Sequence, residues 1–205
     1  MPARIAPADA AAELARRDRV VARMLADHGP PRLGRPVAGP GRFRALAESI
    51  VYQQLNGRAA ATIFGRVDDC LGGEVTPQSL VGAGPHALRG CGLSAAKTAA
   101  LLDLAAKVGD GTVRLDRIGR LSDDDVVDEL VKVKGIGRWT AEMFLLFTLG
   151  RLDVWPVGDY GVRVGYAKAW GLAEVPKPPE LGPLGERFRP YRSIAAWYCW
   201  RAVEA

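Results

Sequence analysis

Apolar positions recur along this chain at helical spacing rather than in alternation, and they do so almost from end to end. Residues 7–27 predict a first helix, ahead of the turn-rich stretch HGPPRLGRPVAGPG. Residues 42–55 (RFRALAESIVYQQL) and 57–71 (GRAAATIFGRVDDCL) predict two consecutive core helices, broken at Asn56-Gly57. Thr76-Pro77 reads as an N-cap followed by proline at the first helical position. Ser94 reads as the cap of AAKTAALLDLAAKV, which stops at Gly109. Ser122 opens LSDDDVVDELVKV, with Asp125 in the capping-box position and an acidic triplet that suits a helix N-terminus better than a metal. Its apolar residues at 126, 127, 130, 131 and 133 form one buried face. A further helix, RWTAEMFLLFTL, is expected from about 138 to Gly150. Later ones begin at Asp159 and cover SIAAWYCWRAVEA. The expected fold class is all-α, with about ten helices and no sheet.

Composition adds limits rather than an identity. A chain of 205 residues, 48% hydrophobic and 25% charged, suits one large domain or two small lobes. The net charge of +5 and a pI near 9.3 are compatible with a polyanionic partner. No apolar run reaches the roughly 18 residues of a membrane span, and the charged N-terminus lacks a signal peptide's apolar core. A cytoplasmic protein with no membrane partner is therefore expected. Cys70, Cys91 and Cys199 are odd in number and far apart, a pattern that supports neither a disulfide framework nor a zinc or iron–sulfur site.

The candidate chemistry begins at Lys134-Gly135-Ile136-Gly137, between two predicted helices. Two glycines flanking one apolar residue permit a tight hairpin, and the helix that follows directs free N–H groups outward as an anion site. Duplex phosphates match such a site without any reading of bases. A dinucleotide loop fits poorly, because no strand precedes these glycines and a third glycine is missing.

LVKVKGIGRWTAEMFLLF resembles the helix-hairpin-helix of base-excision DNA glycosylases. WPVGDYGVRVGY resembles the Gly/Pro-rich loop and aspartate that complete that signature. The twenty residues from Trp139 to Asp159 match the alkylation-repair branch, that of 3-methyladenine DNA glycosylase II. ESIVYQQLNGRAAATIF and RFRPYRSIAAWYCW agree with it, so the similarity covers roughly residues 40–205. It implies a two-lobed helical core over 41–205, with the helix-hairpin-helix at about 122–149. Residues 1–40 would pack on the C-terminal lobe, and no N-terminal α/β domain is expected.

The resemblance also implies roles. Asp159 matches the catalytic aspartate, which either stabilises oxocarbenium-like charge at the sugar or orients the attacking water. Bifunctional relatives carry a Schiff-base lysine where this chain has Trp139, which implies hydrolysis without strand cleavage. Trp139, Met143 and Phe188 would form a slot for a flipped, often cationic base, with Tyr52, Gln53 and Tyr160 nearby. Met143 stands where a well-known bacterial relative has tyrosine. Gln54-Leu55 matches the wedge that fills the vacated duplex. Lys134, Gly135, Gly137, Arg138 and Thr140 would hold phosphate. The carbonyls of Val131, Val133 and Ile136 would bind Na⁺ or K⁺, with no other cofactor and no iron–sulfur cluster. The expected partner is double-stranded DNA carrying damaged bases, bound by a monomer. A glycosylase for oxidised or deaminated bases and a non-catalytic helix-hairpin-helix module are the competing readings. The cysteine pattern and Trp139 weigh against the former, and the aspartate loop weighs against the latter.

Overall fold

The computed structural model describes residues 5–33 and 36–204. Among them lie eleven α-helices and no strand. The chain divides into two compact units, one built from residues 36–149 and the other from the described residues up to 33 together with 150–204. No helix among the described residues is long and apolar enough to cross a membrane.

The second unit in chain order comprises α3 (Gly39–Tyr52), α4 (Gly57–Cys70), α5 (Pro77–Gly90), α6 (Ala95–Gly109), α7 (Asp123–Leu130) and α8 (Arg138–Met143). Its core is aliphatic: Leu46, Ile50, Leu80, Leu88, Leu101, Leu104, Leu130 and Leu145 are fully buried. Local capping agrees with the pattern. Asn56 accepts from Ala59 N at 2.9 Å, Thr76 from Ser79 N at 3.1 Å and Ser94 from Lys97 N at 3.2 Å. Each such cap contributes about 1 kcal/mol. Ser122 caps α7 by accepting from Asp125 N at 3.1 Å. The reciprocal half of the box differs, because Asp125 takes the Ser122 hydroxyl at 2.6 Å. The α3 helix runs from 39 to 52 rather than 42 to 55, which leaves 53–56 as a junction. The predicted single helix from 138 to 150 is also corrected. After α8 the chain widens into a π-helical turn, Phe144–Thr148, closed by Leu149 N donating to Phe144 O at 2.9 Å. The wider turn keeps Phe144, Leu145, Leu146 and Thr148 inside while Phe147 emerges.

The other unit holds α1 (Pro7–Arg17), α2 (Arg19–His28), α9 (Tyr160–Trp170), α10 (Pro178–Leu184) and α11 (Arg192–Glu204). The helix expected over 7–27 is two helices, because Asp18 turns extended (φ −139°, ψ 117°) and caps α2 through Val20 N and Val21 N. Buried Asp18 also receives Trp170 Nε1 at 3.2 Å and pairs with Arg187. The short Pro-rich α10 carries no clear apolar period and is absent from the sequence-based expectation. The α9 and α11 helices pack so closely that a Cβ on Gly165 would lie 1.8 Å from the Cys199 carbonyl oxygen. Cys199 is wholly buried, and burial pushes its thiol far above the usual range, so it serves packing.

Candidate active site

Two groups of predicted residues emerge, one in each unit. In the unit of residues 36–149, α6 supports the loops that frame the hairpin. Lys97 Nζ donates to Val51 O at 2.6 Å and so holds the end of α3; burial keeps this ammonium below the usual lysine range. Two turns on, Asp103 Oδ2 accepts from Lys134 N at 2.7 Å and from Lys107 Nζ at 2.8 Å. Burial works against the Asp103 charge, yet these donors hold its carboxyl below the ordinary carboxylate range. Between them, Ala100 lies 3.1 Å from where a Cβ on Gly135 would stand. Gly135 also has φ +81°, so both space and backbone demand glycine there.

Gly137 differs. Its φ is −96°, it is the N-cap of α8, and a Cβ there would meet nothing within 4 Å. No atom among the described residues stands in the way of a side chain at 137. Lys134 and Arg138 are exposed beside it, although Arg138 Nε also donates to buried Glu142 at 3.0 Å.

The junction after α3 carries the predicted wedge. Gln54 is the one non-glycine with positive φ (56°) among the described residues, and Leu55 is exposed beside it. A left-handed residue with a side chain is held against a cost of roughly 1–2 kcal/mol. Gln53, expected in the base pocket, instead turns its amide to the hairpin. Its Nε2 donates to Gly135 O at 3.0 Å and to Thr140 Oγ1 at 3.1 Å. Thr140, expected on phosphate, has a buried side chain that serves as this acceptor. Tyr52 and Met143 line a pocket of about 340 Å³ together with Glu48, Phe144 and Phe147. Trp139, one helical turn before Met143 on α8, is 46% exposed and is not among that pocket's lining residues.

The expected cation ligands can be judged by their chemistry. The Val133 carbonyl accepts from Ile136 N at 3.1 Å, while among the described residues those of Val131 and Ile136 receive no main-chain hydrogen bond. Carbonyl oxygens with spare lone pairs fit a hard monovalent cation. No cluster of three His, Cys, Asp or Glu residues suited to a metal occurs among the described residues.

In the other unit, Asp159 is the N-cap of α9. Its Oδ1 accepts from Val162 N at 2.8 Å and from Trp200 Nε1 at 3.0 Å. A turn precedes it, closed by Asp159 N donating to Pro156 O at 2.9 Å. That loop is latched to the start of α11: Ser193 Oγ accepts from Val154 N at 2.9 Å and donates to Arg151 O at 2.8 Å, and Arg192 pairs with Asp153. Asp159 is thus 8% exposed with its carboxylate oriented from two helices. Tyr160 is exposed, with Arg163 Cζ 5.8 Å from its ring centre.

Phe188 departs from expectation. It is 1% exposed and sits among Trp155, Tyr166 and Trp170, with ring centres 5.8, 6.3 and 5.3 Å away. Stacking in a core satisfies an aromatic ring as well as a pocket wall does, and here the core holds it. Trp200, Ser193, Asp103 and Lys107 were not picked out from sequence. Nothing local separates Trp200 from Trp197, since only the helix packing decides which indole reaches the carboxylate.

An all-helical chain with this glycine hairpin and a helix-capping aspartate in the following loop has the layout of a base-excision repair protein. The chain belongs to the HhH-GPD superfamily of base excision DNA repair proteins, whose family model matches residues 47–187. Within it, the sequence is 34% identical over 162 residues to DNA-3-methyladenine glycosylase 1 of Schizosaccharomyces pombe, covering 78% of this chain and 71% of that one. It is 30% identical to DNA-3-methyladenine glycosylase 2 of Escherichia coli, covering 76% of this chain but 52% of the relative. A solved S. pombe 3-methyladenine DNA glycosylase in complex with abasic DNA superposes with a TM-score of 0.85 at 31% identity, covering 96% and 97% of the two chains.

Proposed function

We propose that this protein is a monofunctional DNA glycosylase that hydrolyses the N-glycosidic bond of alkylated purines such as 3-methyladenine and 7-methylguanine in duplex DNA. The observation that carries this reading is Asp159, oriented by Val162 N and Trp200 Nε1, in a chain of this family with tryptophan at the lyase-lysine position. Bond cleavage leaves positive charge on the sugar, and a carboxylate already held in place stabilises it without reorganising at the moment of reaction. Alkylation at a purine ring nitrogen makes the base a good leaving group, so little acid catalysis is needed. Water is then the nucleophile, because Trp139 offers no amine.

Duplex is gripped through the amides of the Gly135–Gly137 hairpin with Lys134 and Arg138, a contact that carries no base information. Gln54 and Leu55 fill the space left by the flipped base. Trp139, Met143 and Tyr52, all in the unit of residues 36–149, are assigned to the base. The carbonyls of Val131, Val133 and Ile136 would hold Na⁺ or K⁺, which would supply fixed positive charge near the phosphate. The enzyme is read as a cytoplasmic monomer. Incubation with methylated duplex, with released base and strand breaks assayed separately, tests the proposal. Released methylpurine without strand breaks is the expected result, and no release overturns it.

A further inference from the structure

The wedge and the phosphate hairpin are separate stretches of sequence, yet one side chain joins them. Gln53 precedes Gln54, whose φ of 56° is a conformation that residues with side chains rarely adopt. The Gln53 amide donates both to Gly135 O, inside the hairpin, and to Thr140 Oγ1, in the first turn of α8. The assignment of the amide is chemically determined, since a carbonyl oxygen accepts and never donates. Both acceptors are closely surrounded: a Cβ on Gly135 would stand 3.1 Å from Ala100, and Thr140 is buried. Nε2 uses its two hydrogens on these two acceptors, so the side chain is committed to the protein rather than to a base.

We infer that Gln53 is a positioning residue that couples phosphate capture to wedge insertion, fixing the left-handed Gln54 backbone to the hairpin so that gripping the duplex and opening it become one event. This rests on the functional reading above and deepens it. A binding signal that arrives at the Gly135–Gly137 loop would otherwise reach Gln54 by way of α6, where Ala100 and Asp103 meet the hairpin and Lys97 holds Val51 O, and then along the backbone from Val51. The two hydrogen bonds shorten that path to one side chain. When they are removed, the hairpin still meets phosphate, but Gln54 and Leu55 sample positions that do not fill the helix.

The test needs no catalysis. The full chain, Gln53→Ala, Thr140→Val and the double variant are each titrated with an undamaged duplex and with one containing a tetrahydrofuran abasic analogue. 2-Aminopurine beside the analogue reports unstacking. Expected are undamaged-duplex affinities within about twofold of wild type for all variants and a roughly tenfold lower preference for the abasic duplex in Gln53→Ala. Thr140→Val should show a smaller loss of the same kind, and the double variant no more than Gln53→Ala alone, because both act through one contact. The 2-aminopurine signal should fall in parallel. Additive losses, or an unchanged abasic preference in Gln53→Ala, overturn the coupling. Equal losses on both duplexes, accompanied by a lower melting temperature, also overturn it, because they mark a purely structural role. A wild type that binds no duplex overturns the functional reading itself. A wild type that prefers abasic DNA yet releases no base overturns only the glycosylase assignment.

Discussion

Trp200 Nε1 lies 3.0 Å from Asp159 Oδ1, a hydrogen bond between residues 41 apart in sequence that joins the last helix to the first turn of α9. With Val162 N on the same oxygen, it sets the direction in which the carboxylate faces. Gly161 shows how tightly the arrangement is built, since a Cβ there would stand 3.0 Å from the Trp200 ring.

Asp159→Asn should keep the fold, because asparagine retains an acceptor oxygen and caps helices as well as aspartate does. Excision of methylpurines should fall by about 10²-fold or more through loss of the fixed charge. Single-turnover release, beside melting and duplex binding, measures this. A near wild-type rate would remove Asp159 from the chemistry.

Trp200→Phe keeps an aromatic six-membered ring on α11 and removes the indole N–H donor. A hydrogen bond to a charged group contributes about 1.5–3 kcal/mol, so single-turnover excision should drop roughly tenfold or more with affinity for undamaged duplex unchanged. An unaltered rate would reduce the contact to packing.

The two hairpin glycines should separate cleanly. Gly135→Ala meets φ +81° and the Ala100 methyl at 3.1 Å, so it should destabilise the protein by about 1–3 kcal/mol in denaturant unfolding. Gly137→Leu has open space and φ −96°, so stability should stay within about 0.5 kcal/mol. Its affinity for damaged and undamaged duplex should fall alike, by roughly tenfold, from lost hydrogen bonds to phosphate. The reverse pattern would contradict the assignment of Gly137 to DNA.

Borohydride added during turnover should trap no covalent protein–DNA adduct, because Trp139 cannot form a Schiff base and exposed Lys134 precedes the hairpin. Denaturing gel electrophoresis resolves such an adduct, and its efficient appearance would place the chain with the lyases.

Phe188→Leu is expected to affect the fold rather than the substrate. Its burial among three aromatic rings predicts a loss of about 1–2 kcal/mol in stability. Well below the melting temperature, excision of charged and neutral lesions should change equally little. A selective loss for cationic purines would return Phe188 to the base site.

Local physics made much of this legible in the chain itself. Helical periodicity, the break at Asn56-Gly57, the caps at Thr76, Ser94 and Ser122, the glycine hairpin, Asp159 at a helix start and tryptophan at 139 all follow from residues close together in sequence. Their energetics are short-range: a side chain capping an amide three positions on, or a Cβ missing where φ turns positive. The break at Asp18 and the widened turn at 144–148 were not legible, because each depends on which neighbours the segment is packed against. The same holds for side chains that work at a distance. Gln53 and Thr140 read as ligands for DNA, and Phe188 as a pocket wall, until packing turned the first two toward each other and the third into a core. Asp103 and Trp200 carry no local mark at all. A polar or aromatic residue exposes only its type to the sequence, whereas its partner is chosen by the free energy of satisfying buried donors and acceptors across the whole fold, a sum that exists only once the helices have packed.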